Sequence, residues 1–289
     1  MTRRLGIFGY PLTHSLSPAL QSAAMEECGI DGVFEAWPVP PEEYADEMKR
    51  KFGEDGCLGA SVTLPHKQAT VQLMEKLDET AEEIGAVNTI VKADGQPLAG
   101  HNTDAPGFLR ALREQAGFDP AGKSALVFGA GGAARAVVHA LREAGVSRLS
   151  ISNRTVERAQ ALAADMARGR FKPEALGAGL EELTDVAPYA DLLVNTTSLG
   201  MEGGPAPGST PVPSSVISGD ACCYDAVYVP SVTPFMTAAE EAGARVEGGL
   251  SMLIYQAAEQ FRLWHGIEAP ISVMFSAAER ALRERGRSK

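Results

Sequence analysis

A lysine, an aspartate and a set of neutral hydroxyl and amide side chains have the types and spacing for proton transfer on a small polar molecule. Lys67 lies two residues past Pro65, which breaks an apolar run from Leu58 to Thr63. An amine at the end of a buried strand is partly stripped of water. Desolvation lowers its proton affinity toward the range where it exchanges a proton with an alcohol. Asp104, in the run Asn102-Thr103-Asp104, supplies a carboxylate to orient such an amine and balance its charge. Ser15, Ser17, Thr63 and Asn88 fall at the ends of other predicted elements, where α/β proteins place their sites. Each also has a plainer reading. Lys67 suits the solvated face of a short helix, Asp104 and Ser17 suit helix N-caps, and Asn88 suits a buried turn. His14 and His66 have no carboxylate at a fixed spacing and read as ordinary loop histidines.

Chemistry of a second kind sits between Ser124 and Ala136, SALVFGAGGAARA. An apolar strand, Ala125 to Phe128, turns through Gly129, Ala130, Gly131, Gly132 and Ala133 into an alanine-rich helix. Glycine lets backbone N–H groups approach a phosphate with no Cβ in the way, at the positive end of a helix. The spacing Gly129-x-Gly131-x-x-Ala134 fits a dinucleotide-binding turn, with Ala134 in the close-packing place. A single stripe of Ala133, Ala136, Val137, Ala140, Leu141 and Ala144 supports the helix, and Gly145 serves as its C-cap. The next strand, Arg148 to Ser152, ends in Asn153-Arg154-Thr155, with Arg158 one turn on. A site for NAD usually carries Asp or Glu here, to bind the ribose 2′-hydroxyl. Two guanidinium groups and small polar side chains suit an adenosine 2′-phosphate instead. NADP is therefore the expected cofactor; two solvated arginines at a helix start are the alternative.

These groups need elements to hold them. Strand patterns at Leu5–Gly9, Val33–Val39, Leu58–Thr63 and Asn88–Lys92 alternate with helices opening at Ser17-Pro18, Pro41 and Asp78, and Asp94-Gly95 marks a turn. Another helix runs from after Asp104 to Ala116. Beyond the glycine loop, strands follow at Asp191–Asn195 and Ala221–Ala226, with a helix at Pro234–Ala242. The Gly- and Pro-rich stretch Glu202–Pro213 is expected to be a mobile loop near a site that closes over its substrate. Two amphipathic helices, Leu250–Trp264 and Ile271–Glu284, have no strand beside them and are expected to return to the first domain. The fold class is α/β: a small substrate domain over residues 1–104, a Rossmann-type doubly wound domain over 105–248, and covering helices over 249–289.

Composition narrows the classes. At 289 residues the chain has room for two cores, and a net charge of −11 argues against a general nucleic-acid binder. No apolar run reaches the roughly 18 residues of a membrane span, and the start lacks the long apolar segment of a secretion signal. Cys28, Cys57, Cys222 and Cys223 form no C-x-x-C pattern, and the five histidines show no ligand spacing. The expectation is a cytoplasmic enzyme with free thiols and no metal, a monomer or homodimer acting on a small molecule.

Taken together the segments resemble one family, shikimate dehydrogenase, over nearly the whole chain. Gly9-Tyr-Pro-Leu-Thr-His-Ser-Leu-Ser-Pro18, Val62-Thr-Leu-Pro-His-Lys67, Gly85-Ala-Val-Asn-Thr89 and Asn102-Thr-Asp104 are similar to its substrate segments. Gly129 to Ala136, Asn153-Arg-Thr155 with Arg158, Asn195 to Met201, Asp225 to Pro230 and Met252 to Gln256 complete the ordered series. The resemblance implies reversible, NADPH-dependent reduction of 3-dehydroshikimate to shikimate, on the route to chorismate and the aromatic amino acids. It implies Lys67 and Asp104 as the acid–base pair and Ser15, Ser17 and Tyr228 as holders of the carboxylate. Thr63, Asn88 and Gln256 would hold ring hydroxyls and the lysine, and Thr197, Met201, Val227 and Gly249 join the cofactor set.

Departures from the family pattern are few. Ser61 stands where many members carry Asn, so one hydrogen bond near the substrate is expected to be lost or water-mediated. Ser251 precedes Met252 where Gly or Pro is frequent, and Pro106 sits in the first turn after Asp104. Three rivals stand beside this reading. An NAD-preferring quinate/shikimate dehydrogenase would favour Thr at position 17 and an acid after the second cofactor strand. A non-catalytic NADPH sensor would not require Lys67 with Asp104. A reductase resembling the glutamyl-tRNA enzyme would need a nucleophilic cysteine and a basic surface.

Overall fold

A computed structural model describes residues 2–13, 15–93 and 95–287; His14 and Asp94 lie outside them. Two compact units are formed, one from Met1–Thr103 with Ile254–Lys289 and the other from Asp104–Leu253.

The first unit begins β1 (Arg3–Gly9), α1 (Ser17–Glu27), β2 (Gly32–Pro38), α2 (Tyr44–Gly53), β3 (Cys57–Val62) and α3 (Lys67–Val71). It continues with β4 (Lys76–Leu77), α4 (Glu79–Ile84), β5 (Thr89–Val91) and β6 (Ala99–His101). The strands make one sheet in the order β2-β1-β3-β5-β6-β4. β1 is parallel to β2 and β3, whereas β5 runs antiparallel to both β3 and β6. Register pairs Phe8 with Val62, Ser61 with Thr89, and Thr89 with His101. The carboxyl ends of β1, β3 and β6 and the amino end of β5 therefore share one sheet edge. Chain leaving that edge carries Ser15 and Ser17, then Thr63 and Lys67, then Asn88, then Asn102 and Thr103. Phe8, Trp37, Tyr44 and Ile90 fill the core against one sheet face.

One local expectation fails here. Ser17 does not cap α1, because the first helical bond, from Leu20 N to Leu16 O at 3.0 Å, starts one residue earlier. Leu16 holds the cap position without a side-chain bond, and Ser17 is buried inside the first turn.

The second unit contains α5 (Asp104–Glu114), β7 (Ser124–Phe128), α6 (Gly132–Glu143), β8 (Arg148–Ser152), α7 (Val156–Met166) and β9 (Glu174–Leu176). It adds α8 (Leu180–Thr184), β10 (Leu192–Asn195), β11 (Cys222–Asp225), α9 (Pro234–Glu241) and β12 (Arg245–Gly248). Its sheet is wholly parallel, in the order β12-β11-β10-β7-β8-β9. Strands buried on both faces read as continuous apolar runs, as β7 and β10 do. Strand order reverses between β7 and β10, which is where doubly wound sheets open a binding crevice. Pro106 falls in the first turn of α5, where the missing N–H has no helical partner to lose. Gly145 lies one place past the C-cap, Ala144, and takes the positive φ of 79° itself. Within the Gly- and Pro-rich stretch, Val212 is buried in one cluster with Leu126, Phe128 and Phe235, and Gly200 N donates to Ala206 O at 3.0 Å.

The last elements are α10 (Leu250–His265) and α11 (Ile271–Arg287). From Ile254 onward they belong to the first unit, where α11 packs on α1. Arg285 of α11 donates to Ser15 O at 3.0 Å, pinning the loop after β1. Gly59 of β3 is required by this return. A Cβ there would collide with Trp264 Nε1 and Ile90 O, so any other residue would push α10 off the sheet.

Candidate active site

Asn88 is buried, at 1 % exposure, with both ends of its amide engaged. Its Oδ1 accepts from Thr103 N at 2.8 Å and from Thr89 Oγ1 at 2.8 Å. Its Nδ2 donates to Thr103 Oγ1 at 2.9 Å and to Gln256 Oε1 at 3.3 Å. Asn88 thus closes a buried turn and, through Gln256, ties α10 to the sheet edge. Thr63 continues the β3 ladder, its N–H donating to Phe8 O at 2.9 Å.

Lys67 is half-buried and opens α3; its carbonyl accepts from Val87 N at 2.8 Å. What fixes the start of that helix is His66, which sequence reasoning set aside as a loop histidine. The imidazole is buried and stacks on Tyr44 with ring centres 4.0 Å apart and planes 6° from parallel. His66 Nε2 donates to Val39 O at 2.8 Å, and burial lowers the ring's pKa, keeping it neutral. Thr70 Oγ1 donates to His66 O at 2.9 Å, so the Tyr44 hydroxyl, 2.7 Å away, donates to Thr70. Burial pushes the Tyr44 phenol up to about 12. The base of Lys67 is therefore clamped from three elements. Ser15 is half-buried, and its Oγ accepts from Ser17 N at 3.3 Å.

In the second unit Asp104 is buried at the first position of α5, and Tyr228 is half-buried on the segment after β11. Gly129 ends β7 with φ at 112°, and its N–H donates to Ser152 O at 2.8 Å. A Cβ there would lie 2.5 Å from Thr196 Oγ1, so only glycine lets the β7 and β10 turns meet at the switch point. Gly131 is the N-cap of α6, has no side-chain cap bond, and faces open space where a Cβ would be. The first turn of α6, with Gly132 and Ala133, therefore offers backbone donors toward an anion beside Ala130. Asn153 Nδ2 donates to Thr155 O at 2.8 Å, and Arg154, Thr155 and Arg158 are exposed next to the end of β8. Neither guanidinium is in an ion pair among the described residues.

Asn195 Oδ1 accepts from Thr197 N at 3.0 Å and from Thr197 Oγ1 at 2.7 Å. Asp225 Oδ1 accepts from Val227 N at 3.0 Å, and Gly249 N donates to Val227 O at 3.2 Å. Thr197, Val227 and Gly249 thus gather past the ends of β10, β11 and β12, with Met201 exposed on the same loop as Thr197. A glycine cradle, an uncapped helix start and these two exposed guanidiniums fit a phosphorylated dinucleotide.

Residues 7–90 match the family described as shikimate dehydrogenase substrate binding domain, and 111–200 match shikimate / quinate 5-dehydrogenase. Residues 249–279 match the shikimate 5′-dehydrogenase C-terminal domain. Over 284 residues the chain is 43 % identical to shikimate dehydrogenase (NADP+) of Methanopyrus kandleri, spanning 98 % of this chain and 97 % of the relative. The chain belongs to the shikimate dehydrogenase family. The shikimate dehydrogenase (NADP+) of Moorella thermoacetica is 45 % identical over 98 % of this chain and 93 % of its own. Shikimate dehydrogenase of Thermus thermophilus, solved in complex with NADP(H) and shikimate, superposes with a TM-score of 0.85. It shares 40 % identity over 97 % of this chain and 100 % of that one.

Beyond the residues given individual roles in the sequence analysis, three more support the candidate site: His66, Asp225 and Gln260. Gln260 had a signal in the sequence, a second glutamine one turn past Gln256 on a largely apolar helix face. Asp225 and His66 lie inside segments already matched to the family, Asp225 to Pro230 and Val62 to Lys67, but nothing beside them marked a supporting role.

Proposed function

We propose that this chain catalyses the reversible NADPH-dependent reduction of 3-dehydroshikimate to shikimate, feeding chorismate and aromatic amino acid synthesis. The observation that carries this reading is near-full-length identity of 43–45 % to NADP+-dependent shikimate dehydrogenases. NADPH, when bound, supplies the hydride for the carbonyl carbon. The chain's own residues bind, orient and move one proton. Lys67 as ammonium gives its proton to the carbonyl oxygen in reduction and takes it back from the alcohol in oxidation, while Asp104 balances the charge. Ser15, Ser17 and Tyr228 hold the substrate carboxylate, and Thr63, Asn88 and Gln256 hold its ring hydroxyls. Neutral donors and acceptors of this kind reject analogues that lack a hydroxyl, since the site's own polar groups are then left unpaired.

The backbone from Gly129 to Ala133 holds the pyrophosphate, and Asn153, Arg154, Thr155 and Arg158 hold the 2′-phosphate. Thr197, Met201, Val227 and Gly249 hold the remainder of the cofactor. In this scheme residues 1–104 bind substrate, 105–248 bind NADP, and 249–289 cover the substrate domain. A reducing compartment such as the cytoplasm suits four cysteines that form no disulfide. No helix among the described residues is long and apolar enough to cross a membrane. The test is purified protein with shikimate or quinate crossed with NADP or NAD, followed by nicotinamide absorbance. Fastest turnover with shikimate and NADP supports the proposal. Preference for quinate with NAD, or no turnover at all, overturns it.

A further inference from the structure

Helix α10 addresses the start of β5 with side chains spaced one turn apart. Gln256 reaches the Asn88 side chain, Gln260 reaches the Asn88 carbonyl and the Thr89 hydroxyl, and Trp264 Nε1 donates to Ile90 O at 3.0 Å. Gln260 is 1 % exposed, and both ends of its amide are engaged. Its Nε2 donates to Asn88 O at 3.1 Å and to Thr89 Oγ1 at 3.0 Å, and its Oε1 accepts from Ser61 Oγ at 2.8 Å. The orientation of this amide is not free. A backbone carbonyl only accepts, so Nε2 must face Asn88 O and Oε1 must face Ser61.

That orientation passes on. Because Gln260 fills an acceptor place on Thr89 Oγ1, the Thr89 proton points away from it, to Asn88 Oδ1 at 2.8 Å. Asn88 Oδ1 is then held from two sides, by Thr89 Oγ1 and by Thr103 N. Its Nδ2 is left to donate to Thr103 Oγ1 at 2.9 Å and, over a longer 3.3 Å, toward Gln256 Oε1, the place a ring hydroxyl would take or share. We infer that Gln260 is a positioning residue that holds Asn88 for substrate through Thr89, with Ser61 as its counterpart on β3. Gln260 touches no substrate in this arrangement; it removes the freedom of the Thr89 hydroxyl and of the Asn88 amide. Ser61, although short, makes a hydrogen bond, to Gln260 Oε1 at 2.8 Å. Its hydroxyl is spent on Gln260 rather than on the space beside β3.

The inference rests on the reading of Asn88 as a holder of a ring hydroxyl. Steady-state kinetics with shikimate and NADP test it, using wild type, Gln260→Leu and Thr89→Val. Gln260→Leu keeps the volume and removes the amide. It is expected to raise the shikimate KM about tenfold, with the NADP KM within about twofold of wild type and kcat within about threefold. Thr89→Val, which deletes the relay hydroxyl alone, is expected to show the same split and serves if Gln260→Leu does not fold. An unchanged shikimate KM in either single variant overturns the inference, as does a parallel rise in both KM values, which signals a general loss of structure. Absence of shikimate turnover in wild type counts against the proposed function instead, so the two failures are distinguishable.

Discussion

Asn195 and Asp225 stand opposite one another across β10 and β11, and the Asn195 amide donates to the Asp225 carboxylate at 3.0 Å. Each partner also holds a loop. Asn195 receives Thr197, while Asp225 receives Val227 N and, at 2.6 Å, the Thr233 hydroxyl that caps α9. One buried pair therefore sets the two segments assigned to the cofactor.

Burial pushes the Asp225 carboxyl from 3.8 up to about 6, with the bonds from Thr233, Val227 and Asn195 opposing the rise. A folded pKa above the unfolded one contributes stability that is full below about pH 4 and lost as pH climbs through about 6. Wild type should therefore lose on the order of 3 kcal/mol relative to Asp225→Asn across that window. Urea unfolding of both proteins from pH 4 to 7.5 measures the difference. A constant gap between the two curves would show that Asp225 does not titrate there.

Lys67→Ala should lower kcat by about two to four orders of magnitude, the range that a positioned proton-transfer group supplies. Its far-UV circular dichroism should match wild type, because α3 is clamped through His66, Tyr44 and Thr70 rather than through the amine. A variant that retains more than a tenth of wild-type kcat contradicts proton transfer at this residue.

Arg154→Ala should raise the NADP KM by about tenfold or more while leaving NAD use little changed, since a lost charge-assisted contact costs roughly 1.5–3 kcal/mol. The guanidinium is exposed and in no ion pair among the described residues, so stability should hardly move. Equal losses with both cofactors would remove the 2′-phosphate assignment.

Gly129→Ala and Gly131→Ala form a matched pair. The first places a methyl 2.5 Å from Thr196 Oγ1 at a φ of 112°, and the second places one in open space. Thermal unfolding should show a loss above about 1 kcal/mol for Gly129→Ala and a much smaller change for Gly131→Ala. The same order of effect should appear in the NADP KM. Equal stabilities would mean that the β7 and β10 turns do not meet as described.

Much of the site was legible from local chemistry. Gly129-x-Gly131 before an alanine stripe, the arginines after β8 and a lysine past a strand-breaking proline are all signals carried by neighbours in sequence. Such signals survive without a tertiary context because turn geometry, helix periodicity and helix starts are decided within a few residues. Gln256 and Tyr228 were legible only through likeness to a family, since nothing beside them in the chain announces a role.

Other features were decided only by folding. Ser17 had the residue type of a cap, yet α1 starts at Leu16 O and takes Ser17 inside. His66 gained its role from a ring 22 positions earlier and a carbonyl on Val39. Ser61 gained its partner only when α10 returned Gln260 to it, across a separation of 199 residues. Short strands such as β4, β6, β9 and β12 carry too few residues for a periodic signal and exist because a neighbouring strand offers them a ladder. The sequence by itself pointed to the residues proposed to carry chemistry and to the turns that can admit a phosphate. Which buried polar groups hold those residues in place was decided by strand register and by the path of α10, because a buried donor must find its acceptor wherever packing brings one.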